Sequence, residues 1–271
     1  MSLVETNWLE KNLNNVKIID CSWHMPLTRR NGLEEYKKQH IPNSIFFDLD
    51  ENSKKNTKLP HMLVQEEDWN NIVSKMGINN TDKVVIYDNS DVISSCRLWF
   101  NLIYFGHNAK LVHVLNGGFQ KWLSENKRVT DQVSGTDNSN YKSLEKKELV
   151  KDKIMIDKNL DVQDFKIIDA RSKDRFHGKI PEPREGLRSG SIKNSFCIPF
   201  NTCLNKDRTF KKKSELEKIF KECLKDLNEK NIVFSCGSGI TACVLALAYS
   251  LINDKYLPCI YDGSWAEYGM I

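Results

Sequence analysis

Short apolar runs alternate with longer helical patterns along the whole chain. Ile18–Ile19, Val84–Ile86 and Ile232–Phe234 are runs of β-branched and aromatic residues, each the length of a short strand. Between them, apolar residues recur every three or four positions, as in the stripe Ile240, Val244, Leu247 and Leu251. Strands that alternate with helices are typical of α/β domains with a mainly parallel sheet. We therefore expect parallel sheets flanked by helices.

The second half of the chain repeats the first at a spacing near 148 residues. Five blocks recur in the same order: Ile18–Cys21 with Ile167–Ala170, Ile41–Ile45 with Ile192–Phe196, Val84–Asp88 with Ile232–Cys236, Val92–Ile103 with Ile240–Leu251, and Val114–Gly118 with Ile260–Ser264. A single long repeat indicates a duplicated domain rather than a solenoid. We predict a first domain over residues 1–125, a polar linker over 126–160 and a second domain over 161–271.

Composition narrows the classes of function. The chain has 271 residues, 40% hydrophobic and 28% charged, and its net charge of +4 is too small to indicate a nucleic-acid partner. The start has no apolar leader, and the longest apolar stretch, 240–252, is too short to cross a bilayer. We expect a soluble intracellular protein, located in the cytoplasm, without a membrane partner.

The eight cysteines do not form a disulfide framework or a metal site in the sequence. No C-x-x-C pair occurs, and no group of His and Cys has the spacing of zinc ligands. This usage indicates a reducing compartment. We expect neither a metal nor an organic cofactor.

One cysteine lies in a setting of its own. Cys236 follows the apolar run 232–234 and opens the stretch Cys-Gly-Ser-Gly-Ile-Thr, after which a helical pattern begins. A strand, a glycine loop and a helix start would gather backbone N–H groups beside the sulfur, which favours a thiolate. We expect a nucleophile that lies at an opening. The alternative is a small buried hydrophobe. Asp88 takes this place in the first half, so only the second domain would be catalytic.

This loop and the duplication together resemble the two-domain rhodanese-like sulfurtransferases over nearly the whole chain. Within that superfamily, the loop is similar to the Cys-Gly-Ser-Gly-Val-Thr signature of 3-mercaptopyruvate sulfurtransferases, with Ile240 in place of valine. Thiosulfate sulfurtransferases usually carry basic residues in the loop, and this one has none. The resemblance implies two tandem rhodanese-like domains and sulfur transfer through a Cys236 persulfide, with thiosulfate as the alternative donor. Because members of the family are found in the cytosol and in mitochondria, it also implies mitochondria as the alternative location.

The resemblance also implies the residues that bind the donor. Arg175 and Arg184 match the positions of the family's substrate-binding arginines, and a planar guanidinium suits a carboxylate. The alternative is that both are surface arginines in a polar loop. The loop itself would hold the outer sulfur of the persulfide through the N–H groups and hydroxyls of Gly237, Ser238, Gly239, Ile240 and Thr241.

Asp50 and His61 match family segments that contain an acid and a histidine. In the family these residues are thought to act with the loop serine, here Ser238, as a relay. A carboxylate-oriented imidazole suits the proton transfers that thiol ionisation and pyruvate release require. The alternative is a structural histidine.

Two other functions compete with sulfur transfer as interpretations of this chain. Phosphatases of this fold need a loop of the form Cys-x5-Arg, and position 242 is alanine. A non-enzymatic tandem module is the other alternative, although inactive rhodanese-like domains usually lose the cysteine. We expect a small-molecule sulfur donor and a thiol or cyanide acceptor, with a thioredoxin-type dithiol among the candidates.

Overall fold

The computed structural model describes residues 2–271 and contains two parallel five-stranded sheets. The strands of the first sheet are β1 (Leu3–Val4), β2 (Lys17–Asp20), β3 (Ser44–Phe46), β4 (Val84–Tyr87) and β5 (Val112–Leu115). Their order is β1-β5-β4-β2-β3, and every pairing is parallel. The helices between them are α1 (Thr6–Glu10), α2 (Gly32–Lys38), α3 (Glu66–Lys75), α4 (Ser95–Tyr104) and α5 (Gly118–Ser124).

The second sheet has the same topology. Its strands are β6 (Val150–Lys151), β7 (Lys166–Asp169), β8 (Phe196–Cys197), β9 (Ile232–Ser235) and β10 (Ile260–Tyr261), in the order β6-β10-β9-β7-β8 and all parallel. Its helices are α6 (Lys153–Val162), α7 (Lys173–Phe176), α8 (Lys213–Lys221), α9 (Ile240–Ser250) and α10 (Ser264–Tyr268). The α/β class with two parallel sheets is confirmed.

Each sheet is buried because parallel strands need cover on both faces. The central strands β4 and β9 are buried throughout, which is why they read as unbroken apolar runs in the sequence. Trp122 anchors the core of the first sheet and Trp265 that of the second, and each is at most 1% exposed. Cores of this kind hold the strand ends, and the loops that follow them, in fixed positions.

Contacts divide the chain into two units that do not follow the sequence strictly. The first unit contains the residues through Lys55, Leu63–Lys146 and Lys206–Thr209, and the second contains Asn56–Met62, Lys147–Asn205 and Phe210–Ile271. Each unit thus includes a short segment from the other half of the chain. The predicted linker 126–160 is divided between them, since residues 126–146 belong to the first unit and residues 147–160, with β6 and the start of α6, belong to the second. Our domain boundaries stay a proposal.

Candidate active site

Cys236 opens a four-residue loop between β9 and α9. Gly239 ends the loop with φ of +80°, a left-handed conformation that glycine adopts without steric cost, and the helix starts at the next residue. The first N–H groups of a helix have no partner within it and favour an anion there. Trp265 donates its backbone N–H to the Cys236 carbonyl at 2.9 Å, so α10 holds the loop from the other side.

The thiol is less accessible than the sequence led us to expect. Cys236 is only 2% exposed, whereas we expect a nucleophile that lies at an opening. The neighbouring Gly237 is half-buried. A Cβ at Gly237 would meet only side-chain ends, those of Arg175 and Arg184. The loop is therefore covered beside Gly237 by long side chains and not by backbone.

Both predicted donor-binding arginines lie at the loop. The nearest atoms to the position of a Gly237 Cβ are Arg175 Nη2 at 3.2 Å and Arg184 Nη1 at 3.7 Å. Neither arginine is fully exposed. The alternative of two unconnected surface arginines is not what the structure shows. Two positive charges beside the cysteine favour an anionic ligand at this place.

Ser238 connects two of the predicted residues. Its Oγ lies 3.1 Å from His61 Nδ1 and accepts a hydrogen bond from Arg184 Nη2 at 3.3 Å. His61 and Ser238 are buried, at 5% and 7% exposure. The histidine and the loop serine of the predicted relay are therefore in contact within the second unit.

The remaining predicted residues have simpler surroundings. Asp50 lies in the first unit, where its Oδ2 accepts a hydrogen bond from Trp23 Nε1 at 2.9 Å, and its part in the relay stays a prediction. Ile240 is buried at the start of α9, and Thr241 is half-buried beside it. Their positions at the helix N-terminus agree with a role in holding an anion.

Sequence reasoning missed two residues behind the loop, Arg171 and Glu182. Arg171 binds both carboxylate oxygens of Asp169 through Nε, at 3.1 and 2.9 Å, and its guanidinium lies 4.3 Å from the centre of the Trp265 ring. Its Nη1 donates to Glu182 at 2.8 Å. The sequence does contain a signal for the Asp169–Arg171 pair. The two residues are two positions apart at the end of a strand, and alternate residues of a strand point to the same side.

Five thiol groups outside the loop are poor nucleophiles. Burial raises the pKa of Cys197, Cys203 and Cys259 to about 12. Burial likewise raises the pKa of Cys21 and of Cys223. Because the thiolate is the reactive form, these five groups stay inert near neutral pH. Within residues 2–271, no group of three or more His, Cys, Asp or Glu side chains could hold a metal ion.

The geometry is that of a protein with one cysteine in a loop at a helix N-terminus, beside two arginines, on a duplicated parallel α/β fold. The chain belongs to the rhodanese-like family: the model of the rhodanese-like domain matches residues 5–125 and again 152–270. None of the helices among the described residues is long and apolar enough to cross a membrane.

Curated relatives match over nearly the full chain. The thiosulfate/3-mercaptopyruvate sulfurtransferase 1 of Arabidopsis thaliana mitochondria is 38% identical, over 98% of this chain and 75% of the relative. The 3-mercaptopyruvate sulfurtransferase of Mus musculus is 34% identical, over 99% of this chain and 92% of the relative. Among solved structures, SseA from Escherichia coli, described as a 3-mercaptopyruvate sulfotransferase, superposes with a TM-score of 0.87 at 28% identity, covering 98% of this chain and 100% of SseA.

Proposed function

We propose that this protein is a 3-mercaptopyruvate sulfurtransferase that works through a persulfide on Cys236. The observation that carries the proposal is the pair of guanidinium groups beside Gly237, next to a cysteine at a helix N-terminus. An α-keto acid thiol has its negative charge on a carboxylate several bonds from the sulfur. The two arginines can bind that carboxylate and the keto oxygen while the thiolate reaches the sulfur.

The reaction has two half-reactions. The Cys236 thiolate attacks the donor sulfur, the carbon–sulfur bond breaks, and pyruvate leaves as its enolate, which then takes up a proton. The outer sulfur stays on Cys236, where the helix N-terminus and the loop hydroxyls stabilise its charge. A second nucleophile, a thiol or cyanide, then removes that sulfur. We assign the proton transfer to His61 and Ser238, and the 3.1 Å between His61 Nδ1 and Ser238 Oγ supports this assignment, with Asp50 as the proposed third member.

Thiosulfate is the second candidate donor. It is favoured by relatives such as the thiosulfate sulfurtransferase of Rattus norvegicus, which is 34% identical over 98% of this chain and 91% of the relative. That identity is the same as for the mouse mercaptopyruvate enzyme, so overall similarity does not separate the donors. The loop argues for mercaptopyruvate, because Gly237 and Ser238 bring no positive charge of their own beside the sulfur.

Persulfide formation can be measured directly. The purified protein is treated with 3-mercaptopyruvate without an acceptor, and its intact mass and the pyruvate released are recorded. We expect one added sulfur atom on the peptide that contains Cys236, in step with pyruvate. Cys236→Ser should abolish both, while Cys223→Ser, which removes a half-buried thiol of raised pKa, should abolish neither. Pyruvate formation without the added sulfur would refute the covalent route.

The free cysteines bear on the sulfur acceptor and on the cellular compartment of the protein. Eight free cysteines agree with a reducing compartment, where small thiols and thioredoxin-type dithiols are available as acceptors. We propose the cytoplasm as the location, with mitochondria as the alternative that the mitochondrial Arabidopsis relative suggests. The choice of acceptor is tested by comparing the turnover with a reduced dithiol to the turnover with cyanide.

A further inference from the structure

Glu182 holds the nitrogen of Arg175 that lies nearest the loop. Its Oε2 accepts a hydrogen bond from Arg175 Nη2 at 2.5 Å, and its Oε1 accepts one from Arg175 Nε at 3.2 Å. Arg175 Nη2 is also the atom found 3.2 Å from the position of a Gly237 Cβ. The Glu182 carboxylate thus binds the Nε–Nη2 edge of the guanidinium. The Nη1–Nη2 edge is then the one that can bind the carboxylate of a donor.

Glu182 is itself fixed from behind. The Glu182 Oε1 atom accepts a hydrogen bond from Arg171 Nη1 at 2.8 Å, and both side chains are 1% exposed. Arg171 in turn is bound to Asp169 and donates to the Gly190 carbonyl at 2.8 Å. A chain of charge-assisted bonds therefore runs from the end of β7 through Arg171 and Glu182 to Arg175.

The bonds to Glu182 restrict the conformational freedom of the Arg175 side chain. Its side chain is 22% exposed, and an arginine side chain has several rotatable bonds that lose entropy when it is held in place. A site that must place a carboxylate within a fraction of an ångström needs that freedom removed before the donor arrives. The buried carboxylate removes it, and its negative charge balances one of the two guanidinium charges.

We propose that Glu182 is the positioning residue for Arg175 and sets the affinity for the sulfur donor through it. The inference rests on the proposed function, since it assigns Arg175 to donor binding. Glu182 does not touch the reacting sulfur. It acts by presenting one edge of the guanidinium to the donor.

The test replaces the carboxylate by its isosteric amide. In Glu182→Gln, an N–H₂ group faces at least one guanidinium donor, so the fork to Arg175 is lost while the volume stays the same. We expect the KM for 3-mercaptopyruvate to rise on the order of tenfold, with kcat changed by less than about twofold, because ground-state and transition-state binding fall together. Glu185→Gln, at an exposed glutamate of the same loop, is the matched control and should leave both constants unchanged.

A double variant separates positioning from a general structural effect. In the Arg175→Gln background, Glu182→Gln should add no further rise in KM, since the side chain that it positions is gone. An equal rise in both backgrounds, or an unchanged KM in the single variant, would overturn the inference while wild-type turnover upheld the proposed function. Inactivity of the wild type would overturn both. If Glu182→Gln does not fold, Glu182→Asp, which draws the charge back by one methylene, should show a smaller rise in KM.

Discussion

His61 Nδ1 and Ser238 Oγ lie 3.1 Å apart, although 177 positions separate the two residues in the chain. His61 has φ of +59°, in the left-handed region that costs energy for residues with a Cβ. Such backbone strain persists where the surrounding structure enforces it, and it often accompanies function. The first half of the sequence thereby supplies a side chain to the loop that carries Cys236.

The first unit contains a counterpart of this contact. Arg208 also has a positive φ, +67°, and it donates a hydrogen bond to the carbonyl of Ser90, the residue that matches Ser238 in the repeat. Its guanidinium lies 3.7 Å from Asp88, which takes the place of Cys236. Asp88 and Arg208 thus pair at the loop that corresponds in the repeat to the one that carries Cys236.

We expect Ser238→Ala to slow persulfide formation without unfolding the protein. The substitution removes the hydroxyl that joins His61 and Arg184, and a positioned proton-transfer group contributes on the order of 10²-fold or more. Single-turnover release of pyruvate measures the effect. The double variant His61→Gln/Ser238→Ala should be no slower than the worse single variant. Additive losses would show that the two side chains act separately.

A positive charge in the loop should shift the donor preference. In Gly237→Arg the new side chain must share the space that Arg175 and Arg184 now occupy. We expect the ratio of kcat/KM for thiosulfate to that for mercaptopyruvate to rise by about tenfold, or roughly 1.4 kcal/mol. Gly237→Ala is the uncharged control, since its Cβ meets Arg175 Nη2 at 3.2 Å without adding a charge. A similar shift in the alanine variant would assign the effect to crowding.

Replacing Arg208 should lower the free energy of unfolding but leave the activity unchanged. Asp88 is 3% exposed, and Arg208→Met would leave its carboxylate with backbone N–H partners from Ser90 and Ser95. We expect a loss of about 1–2 kcal/mol in the free energy of unfolding. Denaturant titration measures it, and Lys206→Met at an exposed neighbouring position should have little effect. An unchanged midpoint in Arg208→Met would contradict the assigned role.

The stability of the protein should depend on pH through Asp20. Burial raises the pKa of this carboxyl to about 7, because Ser22 stands where Asp169 has the cation Arg171. The folded state therefore holds a proton that the unfolded chain releases near pH 4, and stability falls as pH rises from about 4 to 7. The loss is at most roughly 4 kcal/mol.

Asp20→Asn, which stays neutral, should remove this dependence. We expect the variant to gain stability relative to the wild type at pH 8 and to gain much less at pH 5. Thermal denaturation at the two pH values measures the difference. An equal effect at both pH values would show that Asp20 does not titrate as described.

The sequence by itself determined the buried central strands and the start of the helix that follows Cys236. Apolar runs such as 84–86 and 232–234 became the buried central strands, because a parallel strand covered on both faces must be apolar throughout. The glycine at position 239 and the apolar stripe after it fixed the start of α9, and with it the position of Cys236. These are local properties, carried by neighbouring residues.

Only the tertiary structure decided which distant side chains meet at the loop. It joined His61 to Ser238 and placed Glu182 between Arg171 and Arg175. It also decided that the Cys236 thiol is buried. The burial of a side chain and the identity of its hydrogen-bond partners depend on how distant segments pack around the loop. The pattern of hydrophobic and polar residues along the chain does not determine that packing.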